Sequence, residues 1–311
     1  MPRTATEATH LARWLGAVAW LTWAGAAQAL NVFACEPEWA SLARALAPHA
    51  HVVSATHQRQ DPHHIEARPS LIAALRRADL AVCSGAELEA GWLPMLQQRA
   101  GNPKVLDRAD GMFFASDHVA LIDAREAGGP FDGDVHAAGN PHFQLDPDKV
   151  LEVARGLADT LAQVDAAGAD AYRERLQAFE RDWQGHVQRW RTQTSRLRGQ
   201  RVIAQHSSFA YLWRWLGMTQ TADLEPKPGL PPTPGHLTVV LRIAQRERPM
   251  AVVFTRYQDG RSARWMAAQL GNEGMAIALP TTVDDAQDPQ GLVRLFDELF
   301  KQLLNAGGGP R

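Results

Sequence analysis

Only two cysteines, Cys35 and Cys83, occur in the 311 residues, too few for a disulfide-framework protein. Runs of Lys or Arg are absent, and the basic residues are nearly all arginine. With 32 basic and 34 acidic side chains the chain is close to neutral, which argues against nucleic acid or a polybasic membrane surface as partner. There is no internal repeat. Past residue 29, no segment reaches the roughly 18 apolar residues of a membrane helix. Catalytic signatures are missing too: no His-Glu-x-x-His, no Gly-x-Ser-x-Gly and no evident base beside a nucleophile. What is present, 45% hydrophobic and 21% charged residues, is ordinary globular composition and excludes disordered, collagen-like and coiled-coil chains. The length suits about two domains, each able to bury its own core.

The first residues read as a targeting segment. Arg3 and Arg13 precede the apolar run Trp14 to Ala24, and Ala27-Gln28-Ala29 supplies the small-x-small pattern of a signal-peptidase site. The run is short for a bilayer-spanning anchor. A lipoprotein site around Cys35 fits poorly, because Gln28 and Asn31 interrupt the apolar stretch. Residues 1–29 are therefore expected to be a signal peptide cleaved after Ala29, giving an exported, periplasmic protein. Export places Cys35 and Cys83 in an oxidising compartment.

Past residue 30, strand and helix patterns alternate. Leu30–Cys35, His51–Ser54 and Asp79–Cys83 read as strands, with a fourth starting at Val105-Leu106; Trp39–Leu46, Ser70–Arg77 (Ser70 as N-cap) and Ala86–Gln98 read as helices. Asp107–Asn140 is glycine-rich and aperiodic, the mark of a functional or disordered loop. Val150, Val153, Leu157, Leu161 and Val164 share one helix face. Tyr172 to Leu197 marks a second helix of about 28 residues, about 42 Å long at 1.5 Å per residue. The alternation then resumes to the closing helix Leu292–Leu304. The expected fold is α/β: an N-terminal parallel-sheet lobe over 30–148, a helical region with a long rigid linking helix over 149–199, and a C-terminal lobe over 200–311. In the common 2-1-3 strand order Cys35 and Cys83 end neighbouring strands, close enough for a bridge or for two buried thiols.

The histidines are the chemically informative residues. His63 stands in Asp61-Pro62-His63-His64, in the loop after the second strand. His142 stands in Asn140-Pro141-His142, just before the helical region. His206, in Gln205-His206-Ser207-Ser208, follows the first strand of the second lobe. Ligands bind outside the carboxyl ends of strands in such sheets, so these three imidazoles converge on an interlobe cleft and make a first shell for a borderline metal.

Together with Arg68-Pro69-Ser70, Gly85-Ala86-Glu87-Leu88-Glu89, Leu145-Asp146-Pro147 and His206 to Leu212, these motifs resemble, in order and over nearly the whole chain, the zinc- and manganese-binding solute-binding proteins of ABC transporters. The resemblance implies two α/β lobes joined by one long helix, a metal held between them by His63, His142 and His206, an ABC transporter membrane permease as partner, and a monomeric, non-enzymatic protein. The family's usual fourth ligand is an Asp or Glu after the last strand of the second lobe, where this chain has Thr282. Glu36, Asp284, Asp285 or a water are the candidates to replace it, with Glu36 ranked first. The family's long His-rich loop is also missing; His118 and His136 stand in its place as possible capture ligands, and a contribution from His64 stays open. Three imidazoles and a carboxylate suit Zn²⁺ as the transported ion better than Mn²⁺. The alternatives are an exported zinc-dependent hydrolase and a metal-binding adhesin or chaperone.

Overall fold

The computed structural model describes residues 29–124, 134 and 136–306. The expected signal peptide therefore lies outside the described residues, apart from Ala29. The first lobe consists of β1 (Asn31–Ala34), α1 (Pro37–Leu46), β2 (His51–Ser54), α2 (Pro69–Arg77), β3 (Leu80–Cys83), α3 (Leu93–Ala100) and β4 (Met112–Phe114). The antiparallel pair α4 (Pro147–Val164) and α5 (Ala169–Gln193) follows. The second lobe holds β5 (Arg201–Ala204), α6 (Ala210–Leu216), β6 (Thr219–Asp223), α7 (Pro234–Glu247), β7 (Ala251–Thr255), α8 (Arg261–Gln269) and β8 (Ala276–Leu279), and α9 (Gly291–Ala306) closes the chain. Each lobe is a four-stranded parallel sheet, ordered β2-β1-β3-β4 and β6-β5-β7-β8. The lobes thus share a topology without sharing a sequence. Among the described residues no helix is long and apolar enough to cross a membrane.

Strand side chains alternate between two buried faces. Val32, Ala34, Leu80 and Val82 of the first sheet and Val202, Ala204, Ala251 and Val253 of the second enter one continuous core with α1, α4, α5, α6 and α9. Phe33, Cys35, Ala81 and Cys83 face a smaller core under α2 and α3; Ile203 and Val252 face its counterpart under α7 and α8. The lobes are therefore not two bodies on a tether. Trp183 and Trp190 of α5, both fully buried, pack edge to face against each other, and both lie against Phe296. Their indole N–H groups donate to the Pro147 carbonyl and to Asp297. This wedge joins the linking helix to the C-terminal one.

Several local expectations are corrected. The fourth strand is Met112–Phe114, not Val105-Leu106; Pro103–Val105 is instead a 3₁₀ turn, with the Asn102 side chain accepting from the Lys104 N–H. The third helix starts at Leu93, not Ala86. Gly85, Ala86 and Glu87 all have positive φ, because the chain coils so that the Ser84 and Gly85 N–H groups reach the Glu89 carboxylate. Ser70 does not cap α2; Arg68 holds the cap position and Pro69 the first turn, where proline loses no hydrogen bond. The long helix has 25 residues, about 38 Å, ending where the Thr194 hydroxyl bonds back to the Trp190 carbonyl.

Cys35 and Cys83 end the adjacent strands β1 and β3. They form a disulfide with Cα atoms 4.8 Å apart across a sequence separation of 48. Closing a loop of that length restricts the unfolded chain by about 4 kcal/mol on the loop-entropy model. Replacing both cysteines by alanine is expected to lower the urea-denaturation free energy by about 2–4 kcal/mol, and thiol titration of the unreduced, denatured wild type is expected to find no free thiol among them. Two titratable thiols would remove the bridge.

Candidate metal centre

Three loops deliver the histidines to the carboxyl edges of the sheets. The Trp92 indole N–H donates to the Pro62 carbonyl and so fixes the turn carrying His63. In that turn the Asp61 carboxylate accepts from the His63 backbone N–H at 3.1 Å and lies 2.7 Å from its Nδ1. His206 directly follows β5 in extended conformation, and its Nδ1 lies 2.8 Å from Glu225 Oε2. Glu225 is held in turn by the Gly229 N–H. The His142 N–H donates to the Asn140 side chain. Asn140 donates to the Ser207 carbonyl and accepts on its own carbonyl from Tyr211, which ties this segment to the second lobe.

His63, His142 and His206 are 6%, 3% and 6% exposed. Their ring centres are 5.6 Å (His63 to His142), 6.2 Å (His63 to His206) and 6.0 Å (His142 to His206) apart. A ring centre lies about 3.2 Å from a zinc bound at about 2.0–2.1 Å, so two tetrahedral imidazoles have centres about 5.2 Å apart. The cluster is thus within an ångström of a tetrahedral first shell. A fourth ring, His136, stands 5.2 Å from His63, with its Nε2 3.1 Å from His63 Nε2; its ring also hydrogen-bonds the Ala86 backbone. The backbone beside it touches both lobes: Asp134 N–H donates to the Pro228 carbonyl, and Ala137 N–H to Glu87. Ligand atoms of Asp61, His63 and Asp134 lie within 4.8 Å of one another. Asp134 is therefore a carboxylate at the cluster that the sequence reading did not single out. Its signal was its place two residues before His136 in the glycine-rich loop.

The carboxylates expected to complete the set are placed otherwise. Glu36 turns its Oε2 to the Ser84 N–H and hydroxyl. Asp284 pairs with Arg256 at 2.7 Å, and Asp285 accepts from the Gln287 N–H. The Thr282 hydroxyl donates to Glu38. His118, exposed at the surface, stacks on Phe113 at 4.6 Å and lies against Gly156 of α4, away from the cluster. His64 is exposed, 3.8 Å from Asp134 and 6.2 Å from the His63 ring.

The electrostatics follow from rings buried against one another. Burial and the charges of His63, His206 and His136 hold His142 well below the usual imidazole value. Burial and His63 bring His136 to about 4, against a smaller opposing pull from Asp134. Burial also lowers His206, but the hydrogen bond and charge of Glu225 outweigh it and its pKa stands above the ordinary value. Each carboxylate on an Nδ1 fixes the tautomer and leaves Nε2 as the lone-pair nitrogen. His142 Nε2 is buried without any protein hydrogen-bond partner.

The profile of a family described as zinc-uptake complex component A, periplasmic (ZnuA), matches residues 32–306. The high-affinity zinc uptake system protein ZnuA of Bacillus subtilis (strain 168) is 21% identical over 250 residues, 79% of this chain and 76% of its own length. The protein of the same name from Yersinia pestis is 24% identical over 183 residues, 55% of this chain and 58% of its own. Among solved structures, a ZnuA crystal structure superposes with a TM-score of 0.73 at 20% identity, covering 90% of this chain and all of the other. A laminin-binding adhesin (Lmb) from Streptococcus agalactiae gives 0.67 at 20% identity, covering 88% and 99%; these likenesses speak for the fold.

In the metal-free protein the rings are expected to titrate apart. Long-range ¹H–¹⁵N spectra should find His206 charged well above the point where His136, with its midpoint near pH 4, takes a proton, and His142 taking its proton well below the ordinary imidazole range. His136, His142 and His206 titrating together would show that they do not pack against one another.

Proposed function

The chain belongs to the ZnuA family of periplasmic zinc-uptake components, and from that premise we propose that it captures Zn²⁺ between its lobes on His63, His136, His142 and His206 and hands it to an ABC permease. The observation that carries the reading is the unpartnered, buried His142 Nε2 on a ring packed against the His63 and His206 imidazoles. A buried acceptor without a hydrogen bond costs stability of about 1–3 kcal/mol, and a metal ion satisfies it. An all-nitrogen donor set at tetrahedral spacing favours zinc over manganese, which prefers more oxygen. Glu225 and Asp61 orient the ligating rings and raise their basicity. Asp134, at the edge of the cluster, lowers the net charge of the loaded site.

In this reading the ion is cargo. A catalytic zinc keeps one coordination position open for water or substrate, and here the fourth position faces His136. That favours a carrier over the zinc-dependent hydrolase. Export, with cleavage after Ala29, and action as a monomer belong to the same proposal.

The test is metal analysis of protein purified without an affinity tag, followed by competition titration of the stripped form. One zinc per chain is expected. Alanine at His63, His142 or His206 is expected to weaken zinc binding about 100-fold, equal to about 2.8 kcal/mol, and His136→Ala about tenfold, with little change in thermal unfolding of the metal-free chain. Four variants that bind zinc like the wild type would place the metal elsewhere.

A further inference from the structure

Next to the imidazoles lies an oxygen-lined compartment that zinc capture does not use. Three carboxyl groups stand together where β1 and β3 end: Glu36, Glu38 and Glu89, only 2%, 1% and 2% exposed. Glu89 accepts from the Ser84 and Gly85 N–H groups, Glu36 Oε2 accepts from Ser84, and Glu38 accepts from the Thr282 hydroxyl. None of the three forms an ion pair with a Lys, Arg or His among the described residues. The basic side chains of the region are engaged elsewhere: Arg256 with Asp284 and Glu298, and Arg44 with the Val52 and Ala286 carbonyls.

A second observation is independent of the carboxyl cluster. Gln144, 4% exposed, donates its Nε2 to the Thr281 carbonyl, which fixes the amide so that Oε1 is the free acceptor. That oxygen is buried without a hydrogen-bond partner, as is Glu36 Oε1. Glu36, Glu38 and Gln144 line one cavity of about 20 Å³, together with Thr56, Tyr257 and Thr282, and His142 borders it on the side of the imidazole cluster. A single water-sized particle needs about 10–15 Å³. Two buried acceptors beside one gap of that size are satisfied by a donor or a cation between them; without a cation, burial holds the carboxyl groups protonated, Glu36 well above the usual carboxylate range and Glu38 at about 7.

We propose that this compartment is a second metal site, for a hard divalent cation, with oxygen donors from Glu36, Glu38 and Gln144. The donor chemistry separates it from the imidazole cluster: carboxylate and amide oxygens with neighbouring hydroxyls suit Mg²⁺, Ca²⁺ or Mn²⁺, whereas imidazole nitrogens suit zinc. The first expectation for Glu36, a metal-ligand role, is thereby kept for a different ion. The inference goes beyond zinc capture, and His142 is the residue that borders both compartments.

The experiment uses Zn-loaded protein and Mn²⁺ as the probe. Electron paramagnetic resonance of free Mn²⁺ during titration is expected to show uptake of one Mn²⁺ per chain while bound zinc stays at its starting stoichiometry. Glu36→Gln and Gln144→Leu are each expected to weaken that uptake tenfold or more and to leave zinc affinity within twofold of wild type. Zinc stoichiometry reports the folding of each variant and tests the imidazole cluster separately. No Mn²⁺ uptake by Zn-loaded wild type means that the cavity holds water only, and this overturns the proposal. Uptake undiminished in both variants assigns the Mn²⁺ to surface carboxylates and overturns it equally.

Discussion

Imidazoles packed edge to face inside a protein cannot all readily carry a proton. His63, His142 and His206 are buried, with ring centres 5.6–6.2 Å apart. Like charges at that separation in a partly desolvated cleft oppose one another strongly. The rings therefore do not share one protonation state: burial and neighbouring charge hold His142 low, whereas Glu225 holds His206 above the ordinary value. Carboxylates occupy the outer nitrogens of His63 and His206, the Asn140 amide sets the backbone of His142, and the hydrogen bond of Trp92 sets the turn before His63. Without an ion between them these groups are an unfavourable arrangement, which the fold has to hold by other means.

Those means are the shared core. The inner faces of both sheets enter one apolar cluster with α1, α4, α5 and α9, so the separation of His63 from His206 is set by packed side chains and not by a hinge. Close-packed cores resist small displacements, and a first shell that must keep ligands within tenths of an ångström needs such a frame. The matching strand orders of the two lobes place both carboxyl edges on the cleft. His63 and His206 thus emerge at comparable positions on opposite walls, and His142 enters from the segment that crosses between them.

Much of this was legible in the sequence, because it rests on short-range signals. Strand and helix alternation, the 2-1-3 order and the Asp-Pro-His and Asn-Pro-His contexts of His63 and His142 are local patterns, and the neighbourhood of Cys35 and Cys83 follows from the strand order. What was not legible depends on side chains reaching across the chain. Ala86 and Glu87 take left-handed backbone because Glu89 draws in the Ser84 and Gly85 N–H groups, and no periodicity announces that. Glu36 was ranked as a zinc ligand for standing at a strand end, yet Ser84, 48 residues away, claims one of its oxygens. His118 and His136 were equal candidates in one loop. Only tertiary packing separates the first, stacked on Phe113, from the second, set beside His63.

In the proposed zinc site the placement of His136 also bears on how the ion would leave. Four imidazoles would close the coordination sphere, and a closed sphere with rigid ligands exchanges slowly. Here the rigidity is uneven. His63, His142 and His206 sit on turns anchored by buried side-chain hydrogen bonds. Among the described residues, the backbone carrying His136 is tied to the two lobes by hydrogen bonds from Asp134 N–H to Pro228 and from Ala137 N–H to Glu87, beside the bond of its ring to the Ala86 backbone. At about 0.5–1.5 kcal/mol each, those ties are a small part of the binding free energy of a structural-type zinc site. Withdrawing His136 from the first shell therefore costs far less than moving either lobe. It leaves a three-imidazole ion with an open position, which is the state from which a borderline metal exchanges ligands.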